Sequence, residues 1–173
     1  TDVSREELEK ALSHLKSGRA CAEDGLIAEM LKTKHRELLE KIAKMFSELL
    51  REGLQFPESW FQSKLIILFK KGDVKLPKNY RPIAIIPVLS KLFSGVLLKR
   101  LQPLLESLQS EEQNGFRPGY SCNDEIHLLR IIAEKAEEWG EEVWLASLDL
   151  EKAFDKVFHS SVFEGLTQAG ADP

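Results

Sequence analysis

The stretch from Val143 to Phe158, Val-Trp-Leu-Ala-Ser-Leu-Asp-Leu-Glu-Lys-Ala-Phe-Asp-Lys-Val-Phe, constrains the fold more than any other. Residues 143–148 form a mainly apolar run of strand length. Such a run predicts a buried strand, although a helix stays open when the run is this short. Asp149 stands at its end. A carboxylate at the mouth of a buried strand can be held rigidly and makes a good metal anchor. It can equally cap the turn or helix that follows. A second acid, Asp155, comes six residues after the first.

A length of 173 residues allows one domain or two small lobes with a sizeable core. No apolar run reaches the ~18 residues of a membrane span. The opening Thr-Asp-Val-Ser-Arg-Glu-Glu lacks the apolar region of a signal peptide. Cys21 and Cys122 lie far apart and form no metal-ligand pattern, which suits free thiols in a reducing compartment.

The net charge of −4 does not advertise a nucleic-acid partner, but its distribution is uneven. Residues 61–102 carry nine Lys or Arg and one acid, Asp73, so that segment is +8 and the remainder −12. A basic segment in an acidic chain is either a phosphate-contact face or a solvated face balanced by acidic helices.

Along the chain, Ser4-Arg5-Glu6-Glu7 reads as a capping box. Leu8, Ala11, Leu12 and Leu15 follow on one helical face, and Gly18 is placed to end the helix. Residues 34–52 form the clearest helix, with Leu38, Leu39, Ile42, Met45, Phe46, Leu49 and Leu50 at helical spacing and Gly53 at the end. After Pro57 and Trp60, Lys64–Phe69 predicts a buried strand, and Lys70-Lys71-Gly72-Asp73 a turn. A helical pattern then runs from Leu89 through Phe93, Leu97, Leu101, Leu104 and Leu108, with Pro103 expected to kink it or start a second helix. Gly115, Pro118 and Gly119 predict a tight turn. Residues 122–139 predict a helix with Ile126, Leu129, Ala133 and Ala136 on one face, ended by Gly140. Residues 159–169 predict another, with Val162, Phe163 and Leu166 inward.

Several of these stretches carry a resemblance. Leu148-Asp-Leu-Glu-Lys-Ala-Phe-Asp-Lys-Val157 looks like the first catalytic motif of reverse transcriptases, above all those of non-LTR (LINE-type) retrotransposons, with group II intron enzymes next. Lys16-Ser-Gly-Arg-Ala-Cys-Ala-Glu-Asp-Gly-Leu-Ile-Ala-Glu-Met-Leu31 resembles the N-terminal extension of LINE-type enzymes, usually a Gly-Lys-Ala-Pro-Gly-Pro-Asp-Gly loop before a short helix. Here Cys21, Ala22 and Glu23 replace Pro-Gly-Pro, while Asp24-Gly25 is kept. Lys70-Lys-Gly-Asp73 with Asn79-Tyr-Arg-Pro-Ile83 is similar to the family's fingers, and Gln113-Asn-Gly-Phe-Arg117 to its Gln-x-Gly-Phe-Arg stretch.

The resemblance implies an α+β fold: a helix-rich fingers lobe with a small sheet, plus the first strand and helix of a right-hand polymerase palm, truncated. It divides residues 1–173 of one partial domain into extension helices to about residue 62, fingers over 63–120 and the start of the palm over 121–173. It implies RNA-directed DNA synthesis on an RNA template and a DNA primer from deoxynucleoside triphosphates, inside the cell in nucleus and cytoplasm, with no membrane partner. Two divalent metals about 4 Å apart, Mg²⁺ with Mn²⁺ as a substitute, would serve the transfer in the complete enzyme. Asp149 and the Leu150 carbonyl would meet them. Lys70 and Arg81 would hold the triphosphate together with backbone amides near Lys152 and Ala153. Phe154 takes the position of the ring that rejects a ribose 2′-hydroxyl. Asp24, Gly25, Phe116 and Arg117 would lie along the template, although the Asp24-Gly25 loop could be only a connector between helices and Phe116 could instead sit in the core. Lys71, Lys75 and Lys78 read as surface charges, and Asp155 as structural.

One aspartate cannot hold two metals, and the family takes the rest from a Tyr/Phe-x-Asp-Asp hairpin. This chain contains no Asp-Asp pair. It is therefore expected to comprise the fingers and first palm elements only and not to polymerise alone. The missing palm and thumb would come from the same polyprotein. Two other readings stay open: a non-catalytic remnant that binds RNA or a protein partner, and a helical interaction module whose basic segment is only a surface.

Overall fold

The computed structural model describes residues 2–33, 35–52, 55–150 and 153–171, with Glu52 and Asp155 by their backbones alone. The elements form two compact units, Thr1–Arg100 and Leu101–Pro173. Helices and one small antiparallel sheet make the chain α+β.

In the first unit, α1 (Arg5–His14) starts at the capping box. Glu7 donates its N–H to Ser4 Oγ at 3.1 Å, and the Ser4 N–H returns to Glu7 Oε2 at 2.9 Å. The helix closes at Leu15, not at Gly18, which turns left-handed in the loop beyond (φ 69°). Short α2 (Ala28–Lys32) follows, then α3 (Arg36–Glu52). The expected stop at Gly53 lies outside the described residues. A 3-10 turn covers Glu58–Phe61.

The core joins Leu8 and Leu12 of α1, Leu39, Ile42, Phe46 and Leu49 of α3, and Leu92, Phe93 and Val96 of α4 (Val88–Glu106). These positions recur three and four apart, so each helix turns one apolar stripe inward. Phe46 lies at the centre, edge-on to Trp60 at 6.0 Å and to Phe93 at 5.0 Å. The buried Ser47 hydroxyl is satisfied: it accepts the Val3 N–H at 2.8 Å and donates to the Ala43 carbonyl at 2.7 Å.

An ionic clamp ties the helix ends together. The Arg100 guanidinium meets Glu7 through two bonds of 2.8 and 3.0 Å and donates to the Asp2 carbonyl at 2.7 Å. Arg51 pairs with the Asp2 carboxylate at 3.0 Å. The bond from Arg100 is the main reason the Glu7 carboxyl falls from 4.5 to about 2, against the opposing effect of burial. A folded-state pKa below the unfolded one adds stability that is complete above the unfolded value and lost as pH falls through the folded one. The melting temperature of the wild type should therefore exceed that of Glu7→Gln at pH 6, and the gap should close between about pH 4.5 and 2. Glu7 keeps 36% of its side chain exposed, so the gap should also shrink in high salt. A gap that persists unchanged at pH 2 would show that the clamp does not act through this charge.

Strands β1 (Lys64–Phe69) and β2 (Tyr80–Ile85) pair antiparallel, from Lys64 opposite Ile85 to Phe69 opposite Tyr80. The predicted strand is present, but the prediction that it is buried fails: all six residues of β1 are exposed. Burial on both faces needs packed layers above and below, and this sheet is a ribbon of two strands.

Helix α4 starts at Val88 and runs unbroken to Glu106 with Pro103 inside it, so no second helix begins there. Its residues from Leu101 belong to the second unit, which also holds α5 (Cys122–Trp139), α6 (Ala153–Lys156) and α7 (His159–Gln168). Asp124 accepts the Ser121 N–H at 2.8 Å at the start of α5. Gly140 closes it in the left-handed conformation (φ 67°), which lets its N–H reach back to the last carbonyls. Two expectations are overturned here. Residues 143–148 are irregular and exposed, Trp144 to 90%, instead of a buried strand. A strand needs a partner for its backbone groups, and the strands among the described residues, β1 and β2, pair with each other. Val162 and Phe163 of α7 face solvent instead of a core, and Leu166 is half-buried.

Candidate functional site

The hairpin carries the first group of site residues. Leu68 stands opposite Arg81, and the Lys70 N–H donates to the Asn79 carbonyl at 2.8 Å, which continues the ladder one step past β1. Paired residues share a face and alternate residues repeat it. Lys70 and Arg81 are therefore diagonal neighbours on one face. Both are exposed, and neither side chain has a partner among the described residues.

The loop between the strands is fastened to itself. Asn79 Nδ2 donates to the Asp73 carbonyl at 2.8 Å and the Tyr80 hydroxyl to the Val74 carbonyl at 2.8 Å. Asp73 Oδ1 accepts the Lys75 N–H at 2.9 Å, so the loop's only acid is engaged locally. Gly72 is left-handed (φ 93°), and a Cβ there would come within 2.8 Å of Asn79 Nδ2. The backbone angle favours glycine there, and any side chain would also have to displace the Asn79 amide that fastens the loop.

Asp24 and Gly25 lie in the loop between α1 and α2. Asp24 Oδ1 accepts the Leu26 N–H at 3.1 Å, and Gly25 is left-handed (φ 69°). Glu29 accepts the Gly18 N–H at 2.5 Å, which holds its carboxyl below the usual range. Lys32 donates to the Leu15 carbonyl and to Ser17 Oγ. Between this loop and the start of α4 lies a cavity of about 200 Å³ with an apolar lining, including Leu15, Leu26 and Val88, and three cations, Lys16, Arg19 and Lys91. Lys16 and Arg19 were not singled out in the sequence. Lys91 lies more than 70 residues further on, and no local spacing signals that the three share a cavity.

The second unit holds the remaining residues. Phe116 is 91% exposed, so the core alternative for it is excluded. Its backbone is left-handed (φ 62°), the one positive φ outside glycine among the described residues. Its ring meets Phe154 of α6 edge-on, with centroids 5.6 Å apart and planes at 80°. Arg117 donates to the Ser110 carbonyl at 3.2 Å and lies 4.3 Å from the centre of the Tyr120 ring. Asp149 and Leu150 are exposed in the irregular segment before α6. Ala153 opens α6, whereas Lys152 and the side chain of Asp155 lie outside the described residues.

Among the described residues no three His, Cys, Asp or Glu side chains converge as a metal site. Asp149 and the Leu150 carbonyl are hard oxygen donors of the kind Mg²⁺ accepts. They fit such an ion in chemistry but fill only part of its shell.

The cationic hairpin and the exposed aspartate after an apolar run thus stand in a mixed helix-and-sheet chain. The model of the reverse transcriptase (RNA-dependent DNA polymerase) family matches residues 69–173, and the chain belongs to that family. Its relatives are proteins of non-LTR retrotransposons. It is 30% identical to the transposon TX1 uncharacterized 149 kDa protein of Xenopus laevis, over 92% of this chain and 12% of that protein. It is 30% identical to the RNA-directed DNA polymerase from mobile element jockey of Drosophila funebris, over 91% and 17%. It is 29% identical to the retrovirus-related Pol polyprotein from type-1 retrotransposable element R2 of Popillia japonica, over 98% and 23%. The chain thus spans less than a quarter of the length of these relatives. No helix among the described residues is long and apolar enough to cross a membrane.

Proposed function

We propose that this chain is the fingers and the opening of the palm of a retrotransposon RNA-directed DNA polymerase. It would act on an RNA template, a DNA primer and deoxynucleoside triphosphates, inside the cell in cytoplasm and nucleus. The observation that carries this reading is the pair of cations Lys70 and Arg81, which have no partner among the described residues and are diagonal neighbours on one face of the hairpin.

The division of labour follows from the side chains. Arg81 offers a planar fork to two phosphate oxygens, and Lys70 a compact point charge. The N–H groups near Lys152 and Ala153 add neutral donors. Asp149 and the Leu150 carbonyl would contribute oxygens to a divalent ion, Mg²⁺ or Mn²⁺, whose other ligands come from elsewhere in the complete polymerase. Such an ion neutralises charge gathering on the transferred phosphate. Phe154 would exclude a 2′-hydroxyl by overlap, which discriminates more sharply than an apolar pocket alone. Asp24, Gly25, Phe116 and Arg117 would steady the template. Asp155, one residue past Phe154, would serve the local fold.

The test is binding of primer–template and of a deoxynucleoside triphosphate across a salt series. Lys70→Ala and Arg81→Ala should each weaken binding and lower the salt slope by about one counterion per lost phosphate contact. Unchanged affinity and slope in both variants would remove the fingers assignment. Binding that is lost while no nucleotide is ever incorporated by the full-length protein would favour a non-catalytic remnant.

A further inference from the structure

Phe116 is a large apolar ring almost wholly in solvent, on a backbone conformation that L-residues adopt rarely. Core packing does not explain it. The ring touches one other aromatic ring, Phe154, which is itself 81% exposed. Two exposed rings, 38 residues apart in sequence, thus meet edge to face in the arrangement aromatic pairs prefer. The left-handed angle at Phe116 follows from the turn around it. Gln113 Nε2 donates to the Gly115 carbonyl at 3.0 Å, Arg117 is tied to Ser110, and the Tyr120 N–H donates to the Arg117 carbonyl at 3.3 Å. Strain of this kind persists where surrounding bonds over-determine it, and it gathers at working sites.

We propose that Phe116 is a positioning residue for Phe154, so that the 113–121 turn sets how strongly the polymerase rejects ribonucleotides. The inference rests on the reading of Phe154 as the ring that meets the incoming sugar. A steric filter is only as sharp as its wall is rigid, and among the described residues the helix that carries Phe154 is four residues long. Alone, an exposed phenylalanine there would swing between rotamers and yield to a 2′-hydroxyl. The Phe116 ring against it biases Phe154 toward one rotamer. A turn that meets the template would thereby also act on sugar choice.

The experiment is single-nucleotide incorporation by the full polymerase that contains this chain, comparing kcat/KM for a deoxynucleotide and its ribonucleotide. Phe154→Val should collapse the preference for the deoxy form. Phe116→Leu should lower it by up to about tenfold, the most an aromatic contact contributes. Phe116→Tyr should restore it, and the double variant should match Phe154→Val. If Phe116 served only the template, both substrates would slow together and their ratio would hold, which would overturn the proposal. If Phe154→Val itself left the ratio unchanged, the reading of Phe154 would fail and this inference with it. Fluorine NMR of the same polymerase with fluorinated phenylalanine at 154 gives a readout independent of turnover. Phe116→Leu should move and broaden that resonance, and an unmoved resonance would overturn the contact.

Discussion

Asp149→Ala should reduce nucleotide incorporation by the full polymerase about a thousandfold or more while leaving the fold intact. The size follows from the proposed role, since charge stabilisation at a transferred phosphate contributes several kcal/mol and each 1.4 kcal/mol is tenfold in rate. The structural neutrality follows from position. Asp149 is exposed, in a segment without regular structure, and surface changes of that kind stay within about 0.5 kcal/mol of stability. Asp149→Asn keeps the shape and removes the charge, so it should fail nearly as badly. Primer extension shows the rate and circular dichroism the fold. Extension within a few-fold of wild type would assign Asp149 to capping instead of chemistry.

Phe46→Ala should be the most destabilising single change in the first unit. Phe46 is fully buried and packs edge-on against both Trp60 and Phe93. Removing such a ring costs about 3–5 kcal/mol through lost transfer energy and the cavity left behind. A domain of this size has only about 5–15 kcal/mol in total, and each 1 kcal/mol moves its midpoint by about 4–8 °C. Thermal unfolding should show a fall well above 10 °C. Phe163→Ala, at an exposed position of α7, should leave the midpoint close to wild type. Equal midpoints for Phe46→Ala and wild type would mean that the aromatic cluster is not the core.

The elements with local signals were readable in advance. Ser4 and Glu7 mark the start of α1 because a capping box is written in four residues, and the stripe of α3 recurs at helical spacing. The first strand of the hairpin was readable as an apolar run before a turn, whereas its second strand and the part assigned to its cations came only through the family resemblance. What sequence did not give was burial. Residues 143–148, Leu65 and Phe163 are as apolar as any core segment, but burial depends on what packs against a run, and composition carries no such information. The meeting of Phe116 with Phe154 escaped for a related reason. Each residue was legible inside its own motif, whereas their contact depends on a left-handed angle at a non-glycine position. The family resemblance rested on short, ordered motifs and survived this shortfall because it did not need burial.

The self-fastened loop at the tip of the hairpin also has an entropic consequence. Fixing a residue's backbone costs about 1–2 kcal/mol, and a floppy loop would meet that cost at the moment an anion arrived. Here the bonds from Asn79, Tyr80 and Asp73 hold the loop already, so the cost falls on folding. If Lys70 and Arg81 hold phosphate as proposed, only their long side chains would remain to be stilled on binding. In the proposed role the hairpin would therefore behave as a preset electrode, whose grip would be governed by charge and ionic strength and hardly by the chain's need to find its shape.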